Sequence, residues 1–322
     1  MLLSLAQANA RIARGAPLII AGSRPALAQL KPGNWIGGSI PYFVTAEGGC
    51  CDRHQVFVDE IKLPVSRWAI KSYAADALGA IATDAFANGF SYVIIPANSE
   101  AHLEYAMHAP GYAEIFLKPV IGWISGVHLD DLATDAPIVV DGRTGVFLTN
   151  EAIVLHAELA REAQVMVQTV NLFQPGTGLT VRFREAGFSA NIALVDGQPV
   201  SLARFMKERN WLPDRPLVAD YAGTNVNVSI KSVDEATGRV NFYAPVFPDV
   251  DYREAAPVGD YVEAFSKLVP TGVQPVLSCN CILNYVYGGL HGRKTGPFTG
   301  PVTFGEIAHQ LLNQTLVYLA AA

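Results

Sequence analysis

Residues Leu277–Leu319, LSCNCILNYVYGGLHGRKTGPFTGPVTFGEIAHQLLNQTLVYL, hold a strand, a loop, a helical pattern and a closing strand in a single run. The apolar segment Gln274 to Ser278 reads as a strand, Gly288 to Gly296 as a glycine-rich loop, and Gln314 to Leu319 as the strand that ends the chain. A helix is expected over Thr303 to Leu312. Its start, Thr303-Phe-Gly-Glu306, fits a capping box, in which the Thr303 hydroxyl accepts from the Glu306 amide and the Glu306 carboxylate returns to the Thr303 amide.

Working outward, further strands are expected at Pro17 to Ala21, Trp35 to Val44, Gln55 to Ile61, Ser91 to Pro96, Val165 to Phe173, Thr180 to Phe183, Asn225 to Ile230 and Arg239 to Val246. Between them, Tyr73 to Asn88, Asn150 to Ala163, Leu202 to Arg209 and Asp260 to Leu268 carry helical periodicity. Strands that alternate with helices predict an α/β to α+β fold with mixed sheets flanked by helices.

The order of elements is also read twice. VFVDEI, a helix, SYVIIPANS, the loop DGRTG, a helix and VMVQTV in the first half are matched by VNFYAPV, a helix, QPVLSCNC, the loop HGRKTG, a helix and TLVYL in the second. This predicts two pseudo-repeated lobes, 1–174 and 175–322. The turn-rich Gln174-Pro-Gly-Thr-Gly178 marks the boundary between them.

Composition bounds the rest. A chain of 322 residues that is 50% hydrophobic and 16% charged supports a large buried core and is unsuited to disorder. A net charge of -6 without a cluster of Lys and Arg gives no footprint for nucleic acid. The start MLLSLAQANARIARG suits an amphipathic helix better than a signal peptide, and no run approaches the roughly 20 apolar residues of a membrane span. With four cysteines as Cys50-Cys51 and Cys279-x-Cys281, a cytoplasmic location with reduced thiols is expected.

The candidate chemistry gathers in the C-terminal segment. Arg293 and Lys294 beside a helix start would form an anion site, since exposed amides and a guanidinium both favour a carboxylate. Glu306 is open to two roles, helix cap or ligand-binding carboxylate. Cys279 and Cys281 project to one side of an extended strand. Cys279 is a candidate nucleophile with His291 or His309 as base, provided that a partner lowers its pKa. No metal is expected, because adjacent cysteines chelate poorly and the two pairs would have to meet. His54, His102, His108, His128 and His156 make no ligand spacing and read as surface or core residues. Ser39, Tyr42, Thr45 and Glu47, between paired glycines, could line a second pocket.

The ending resembles that of FIST-type sensory domains. The features that carry the resemblance are Ser278-Cys279, the loop Gly288 to Gly292, Phe304-Gly305-Glu306-Ile307 and Asn313-Gln314-Thr315, about 45 residues in all. IGGSIPYFVTAEGG loosely resembles the N-terminal strand of that family. The resemblance implies a FIST-N-like lobe, a FIST-C-like lobe and the sensing of small ligands such as amino acids, with a separate signalling protein as partner. The chain departs from the pattern in having no signalling output, and in having Cys281, Ile282 and Leu283 where an arginine is expected. The function expected is the binding of a small anionic metabolite, without a cofactor, by Ser278, Cys279, His291, Arg293, Lys294, Thr303 and Glu306. A hydrolase using Cys279 and a structural or interaction protein are the alternatives.

Overall fold

Three pairs of parallel strands organise the molecule, and a computed structural model describes residues 1–221, 223–269 and 272–321 of it. The first unit runs β1 (Leu2–Leu3), α1 (Leu5–Ile12), β2 (Leu18–Gly22), α2 (Arg24–Leu27), β3 (Trp35–Ser39), β4 (Tyr42–Thr45), β5 (Gly48–Cys51) and β6 (Val56–Glu60). The second repeats this order with β7 (Val65–Tyr73), a 3-10 turn at Ala75–Ala80, β8 (Gly89–Pro96), α3 (Glu100–His108), β9 (Val120–Ser125), β10 (Val139–Asp141), β11 (Val146–Leu148) and β12 (Ala152–Leu159).

The third unit opens with β13 (Val165–Val170) and is interrupted by a module. That module holds β14 (Val181–Arg182), β15 (Gly187–Ala190), β16 (Ile192–Val195), β17 (Gln198–Ser201), α4 (Leu202–Glu208) and β18 (Leu217–Tyr221). It ends with β19 (Thr224–Val228), β20 (Ile230–Asp234), β21 (Arg239–Val246) and β22 (Tyr252–Glu254). The unit then resumes as α5 (Tyr261–Leu268), β23 (Pro275–Cys281), α6 (Ile282–Tyr287), β24 (Gly300–Thr303), β25 (Glu306–Ala308), β26 (Gln310–Leu312) and β27 (Leu316–Ala321).

Parallel neighbours need a crossover, and α2, α3 and α6 supply it for β2–β3, β8–β9 and β23–β24. A hairpin follows each second parallel strand, but it pairs with a different unit. Hairpin β10–β11 joins β3, β25–β26 joins β9, and β4–β5 joins β24. The sheets are therefore β1-β6-β2-β3-β10-β11, β7-β12-β8-β9-β25-β26 and β13-β27-β23-β24-β4-β5, and the exchange closes on itself.

The inner strands of these sheets are buried on both sides, which is why β2, β8 and β9 are nearly all apolar. Ile36, Trp123 and Val317, one from each sheet, belong to a single shared core. On the outer faces, α1 and α2 bury Ala8, Ile12 and Leu27 against the first sheet, and α3 buries Ala101 and Tyr105 against the second.

The fold is thus mixed α/β with helices flanking mixed sheets, as the alternation of elements requires. The repeat has three copies, however, not two, and the halves meet inside the sheets. Strands after residue 258 complete two of the sheets that begin before residue 174, so 1–174 and 175–322 do not divide into lobes. Strand β8 does correspond to β23, but Gly142-Arg143 lies at the tip of β10–β11 while Gly292-Arg293 lies in the crossover of the third unit.

Two expected helices are strands. Asn150 to Ala163 contains β12, held between β7 and β8, and Thr303 to Leu312 contains the β25–β26 hairpin, which reverses at His309 with φ +63. Pairing with Ile121, Gly122 and Trp123 takes up the backbone of Glu306–Ala308, so the capping box does not form. Of the 73–88 helix only the 3-10 turn is present, whereas α4 and α5 lie where periodicity put them.

The module has its own core around Val181, Phe183, Met206, Phe242 and Tyr252. It meets the body through polar and apolar groups alike: Asn227 Nδ2 donates to the Asn313 carbonyl at 3.1 Å and Ser229 Oγ to Asn313 Oδ1 at 2.6 Å, while Val226 joins the central core and Ala244 the core beneath α3. Among the described residues no helix is long and apolar enough to cross a membrane.

Gly122 sits between β8 and β25, where a Cβ would lie 1.8 Å from the Val93 carbonyl oxygen. Gly122→Ala is expected to cost at least about 2 kcal/mol in urea unfolding, against a change within about 0.5 kcal/mol for Gly111→Ala, whose Cβ meets open space. Equal midpoints for the two variants would contradict this packing.

Candidate functional site

The residues expected to form a C-terminal site are dispersed. Ser278 points to the outer face of its strand, donates to the Thr299 carbonyl at 2.9 Å and borders a cleft with Asp59 and Lys62. Cys279 and Cys281 share the opposite face, both in the central core. Burial, and then the neighbouring Glu306, push both thiols well above their usual range. The Cys279 thiol donates to the Gly122 carbonyl at 3.4 Å. His291 is exposed on the loop, 2.7 Å from the Tyr285 hydroxyl, and gives Cys279 no base. His309 is at the hairpin turn, with its ring beside Phe116.

The glycine-rich loop is fastened to β5. Gly49 N donates to the Arg293 carbonyl at 2.9 Å and Gly292 N to the Gly49 carbonyl at 2.7 Å. A Cβ on Gly49 would meet the Leu290 carbonyl oxygen at 2.2 Å, so the approach requires glycine. Arg293 does stand at a helix start, but it is that of α5, and the place of an anion is filled by the N-cap Asp260, 2.6 Å away. The pair holds Asp260 down at about 2. Lys294 is exposed. The expected anion corner is therefore occupied by the protein's own carboxylate.

Thr303 and Glu306 are fully buried, and neither caps a helix. Glu306 Oε2 accepts from Thr315 Oγ1 at 2.9 Å and from Thr315 N at 3.3 Å, while Thr303 Oγ1 donates to the Gly305 carbonyl at 3.0 Å. Burial without a cation pushes Glu306 up to about 8, against the pull of the Thr315 hydrogen bonds. The acid stitches the hairpin to the start of β27.

Of the early polar cluster, Thr45 and Glu47 border the same cleft as Ser278, whereas Ser39 and Tyr42 do not. Ser39 Oγ accepts from Ile138 N, Tyr42 Oη accepts from Leu129 N, and Thr45 bonds within its own turn. A second network, unmarked in the sequence and buried except at Asp84, links Ser91, His156, Tyr73 and Asp84. Since Tyr73 donates to Asp84, it accepts from His156 Nε2, whose Nδ1 then accepts from Ser91. Every member is satisfied, and Ser91 has no exposed surface.

Seven buried side-chain polar atoms lack a hydrogen-bond partner among the described residues, and one of them belongs to a residue that lines a large apolar-walled cleft. Between α3, α6 and the module lies a cleft of about 550 Å³, walled by Leu103, Leu129, Phe188, Leu283, Val286 and Phe304 among others. Phe304 lies flat against Gly126, where a Cβ would come within 2.3 Å of its ring, so this floor depends on that glycine. Ser99 caps α3 and turns His102 inward, and Asn98 N, in a turn with φ +61, donates to His102 Nδ1 at 3.1 Å. The proton is thereby placed on Nε2, which has no partner among the described residues, although His102 is only 7% exposed. Burial, with a smaller contribution from Lys231, pushes His102 down to about 4, so the ring is neutral.

Lys231 is the charged residue of the lining, and the lining contains no carboxylate. Its ammonium lies 5.9 Å from the Tyr243 ring, and among the described residues it makes no ion pair. No group of three or more His, Cys, Asp or Glu that could hold a metal occurs among the described residues, and all four cysteines are free.

A three-unit α/β body, an inserted β-module and an apolar-walled cleft between them define the class of protein. The chain belongs to a family of unknown function (DUF6976), which it matches over residues 3–322. No curated protein and no solved structure matches it. Sequence reasoning passed over His102 because the lining comes from separate segments of the chain. The one local signal was the Asn98-Ser99 turn ahead of α3.

Glu306 makes stability depend on pH with a definite sign. Its folded pKa, about 8, exceeds the ordinary 4.5, so the folded state holds the extra proton and stability falls as pH rises through that window. Glu306→Gln keeps the shape and removes the loss. Its melting temperature is expected to exceed that of wild type by several degrees at pH 8.5 and to lie close to it at pH 5. A difference that does not change with pH would contradict the burial of an uncompensated acid.

Proposed function

We propose that the protein binds a small molecule in the cleft between α3, α6 and the module, and that binding there serves a sensory role through a separate signalling partner. What carries the reading is the orphaned Nε2–H of His102. A buried donor without an acceptor costs about 1–3 kcal/mol, which a ligand acceptor would recover. The apolar walls and the volume are those of small-molecule sites in general. Four residues of the lining, Leu103, Leu132, Val286 and Tyr287, are large, apolar and at least 44% exposed, so a ligand would also cover surface that water now wets.

The resemblance to FIST-type domains leads to the same class of function by a different route. Of the residues that carry it, Phe304 lines this cleft. Hydrolysis by Cys279 has no support in the geometry, because its thiol is buried, protonated and bonded to a carbonyl.

The test is a thermal-shift screen of the full chain with amino acids, organic acids and fatty acids, run beside Val286→Trp, which fills the cleft from its rim. A ligand at a hundred times its dissociation constant adds about 2.7 kcal/mol. At least one compound is expected to raise the melting temperature of the wild type by several degrees and to leave Val286→Trp unmoved. Equal shifts in both proteins, or no shift with any compound, would overturn the assignment.

A further inference from the structure

The lining of the cleft also constrains the chemistry of its ligand, and this step rests on the reading of the cleft as a ligand site. The walls are apolar on all three sides, from Leu103 on α3, Leu283 and Val286 on α6, and Phe188 on the module. Among the polar residues that also line it, Asn241 Nδ2 donates to Ser232 Oγ at 2.9 Å, and two groups stand out as donors. His102 offers an N–H with no acceptor, and Lys231 offers an ammonium with no carboxylate in the lining to neutralise it. Both are donors, and both line the same cleft.

We propose that the ligand is a hydrophobic carboxylate, with its apolar body between α6 and the module and its carboxylate shared by His102 Nε2–H and Lys231 Nζ. One neutral donor and one cation match the two oxygens of a carboxylate. A free amino acid fits poorly, because it would bring a second ammonium beside Lys231 with no acidic side chain in the lining to receive it. A small polar diacid fits no better, since its second carboxylate would be pressed on apolar walls. A cationic amphiphile meets the charge of Lys231 directly.

Calorimetric titration of the full chain with probes that share one body and differ in head group tests this. Decanoate, decanol and decyltrimethylammonium form one series, and 2-naphthoate separates an aromatic from an aliphatic body. Decanoate or 2-naphthoate is expected to bind at least about tenfold more tightly than decanol, and decyltrimethylammonium more weakly still. Lys231→Ala, a change at an exposed residue, is expected to weaken the better carboxylate about tenfold and to leave decanol unchanged, while Lys231→Arg keeps most of the affinity. His102→Phe is expected to do the same as Lys231→Ala.

Equal binding of decanol and decanoate, or a Lys231→Ala variant that binds the carboxylates as wild type does, would overturn the head-group assignment. Loss of both probes in Val286→Trp would in that case leave the cleft standing as a ligand site. If no carboxylate binds while another compound from the screen binds wild type and fails on Val286→Trp, the carboxylate proposal falls alone. If nothing binds, both fall.

Discussion

Everything in the body hangs on the exchange of hairpins between units. Each parallel pair exposes one edge that its own unit cannot cover, and that edge is a row of unpaired backbone donors and acceptors. The neighbour's hairpin covers it: β10 covers β3, β25 covers β9 and β4 covers β24. No unit therefore completes its sheet alone. Because the residues that meet are as far apart as Val44 and Gly300, closing the ring requires long-range contacts that reward the chain only late in folding.

The exchange accounts for the buried polar groups as well. Hairpin β25–β26 is short and must turn sharply at His309, so its attachment depends on groups beyond the strand ladder. Glu306 supplies one of them by holding Thr315, and the Tyr105 hydroxyl supplies another by donating to the His309 carbonyl at 2.8 Å. A neutral acid in the core is the cost of that stitch. Further along, Asn313 and Gln314 serve the module, since Ser229 and Asn227 bind them from the other side. The segment 313–315 thus joins body and module by polar contacts, beside the apolar ones that Val226 and Ala244 of the module make with the body's cores.

What could be read from the sequence follows from where the stabilisation comes from. Strand β21 matched the reading of Arg239 to Val246, and α5 that of Asp260 to Leu268, because in both the pattern and its ends are local. The β25–β26 hairpin could not be read. Thr303 to Leu312 has a helical pattern and a cap signal, and what overrides them is β9, nearly two hundred residues earlier. The same holds for Asn150 to Ala163, whose partners β7 and β8 precede it by more than fifty residues. At the site, Arg293 was conspicuous because it lies in a glycine-rich loop, yet its charge is taken up by Asp260. His102 was inconspicuous, for its importance comes from a missing partner, and absence of a partner leaves no mark in sequence.

Native-state amide hydrogen exchange tests the interlocked body most directly. If the hairpins are structural members of their neighbours' sheets, the amides of β25 and β10 exchange only through global unfolding, with the same free energy as those of β9 and β3. The module, with its own core, then opens at a lower free energy. Exchange of β25 and β26 ahead of β8 and β9, as a separate C-terminal unit, would contradict the account.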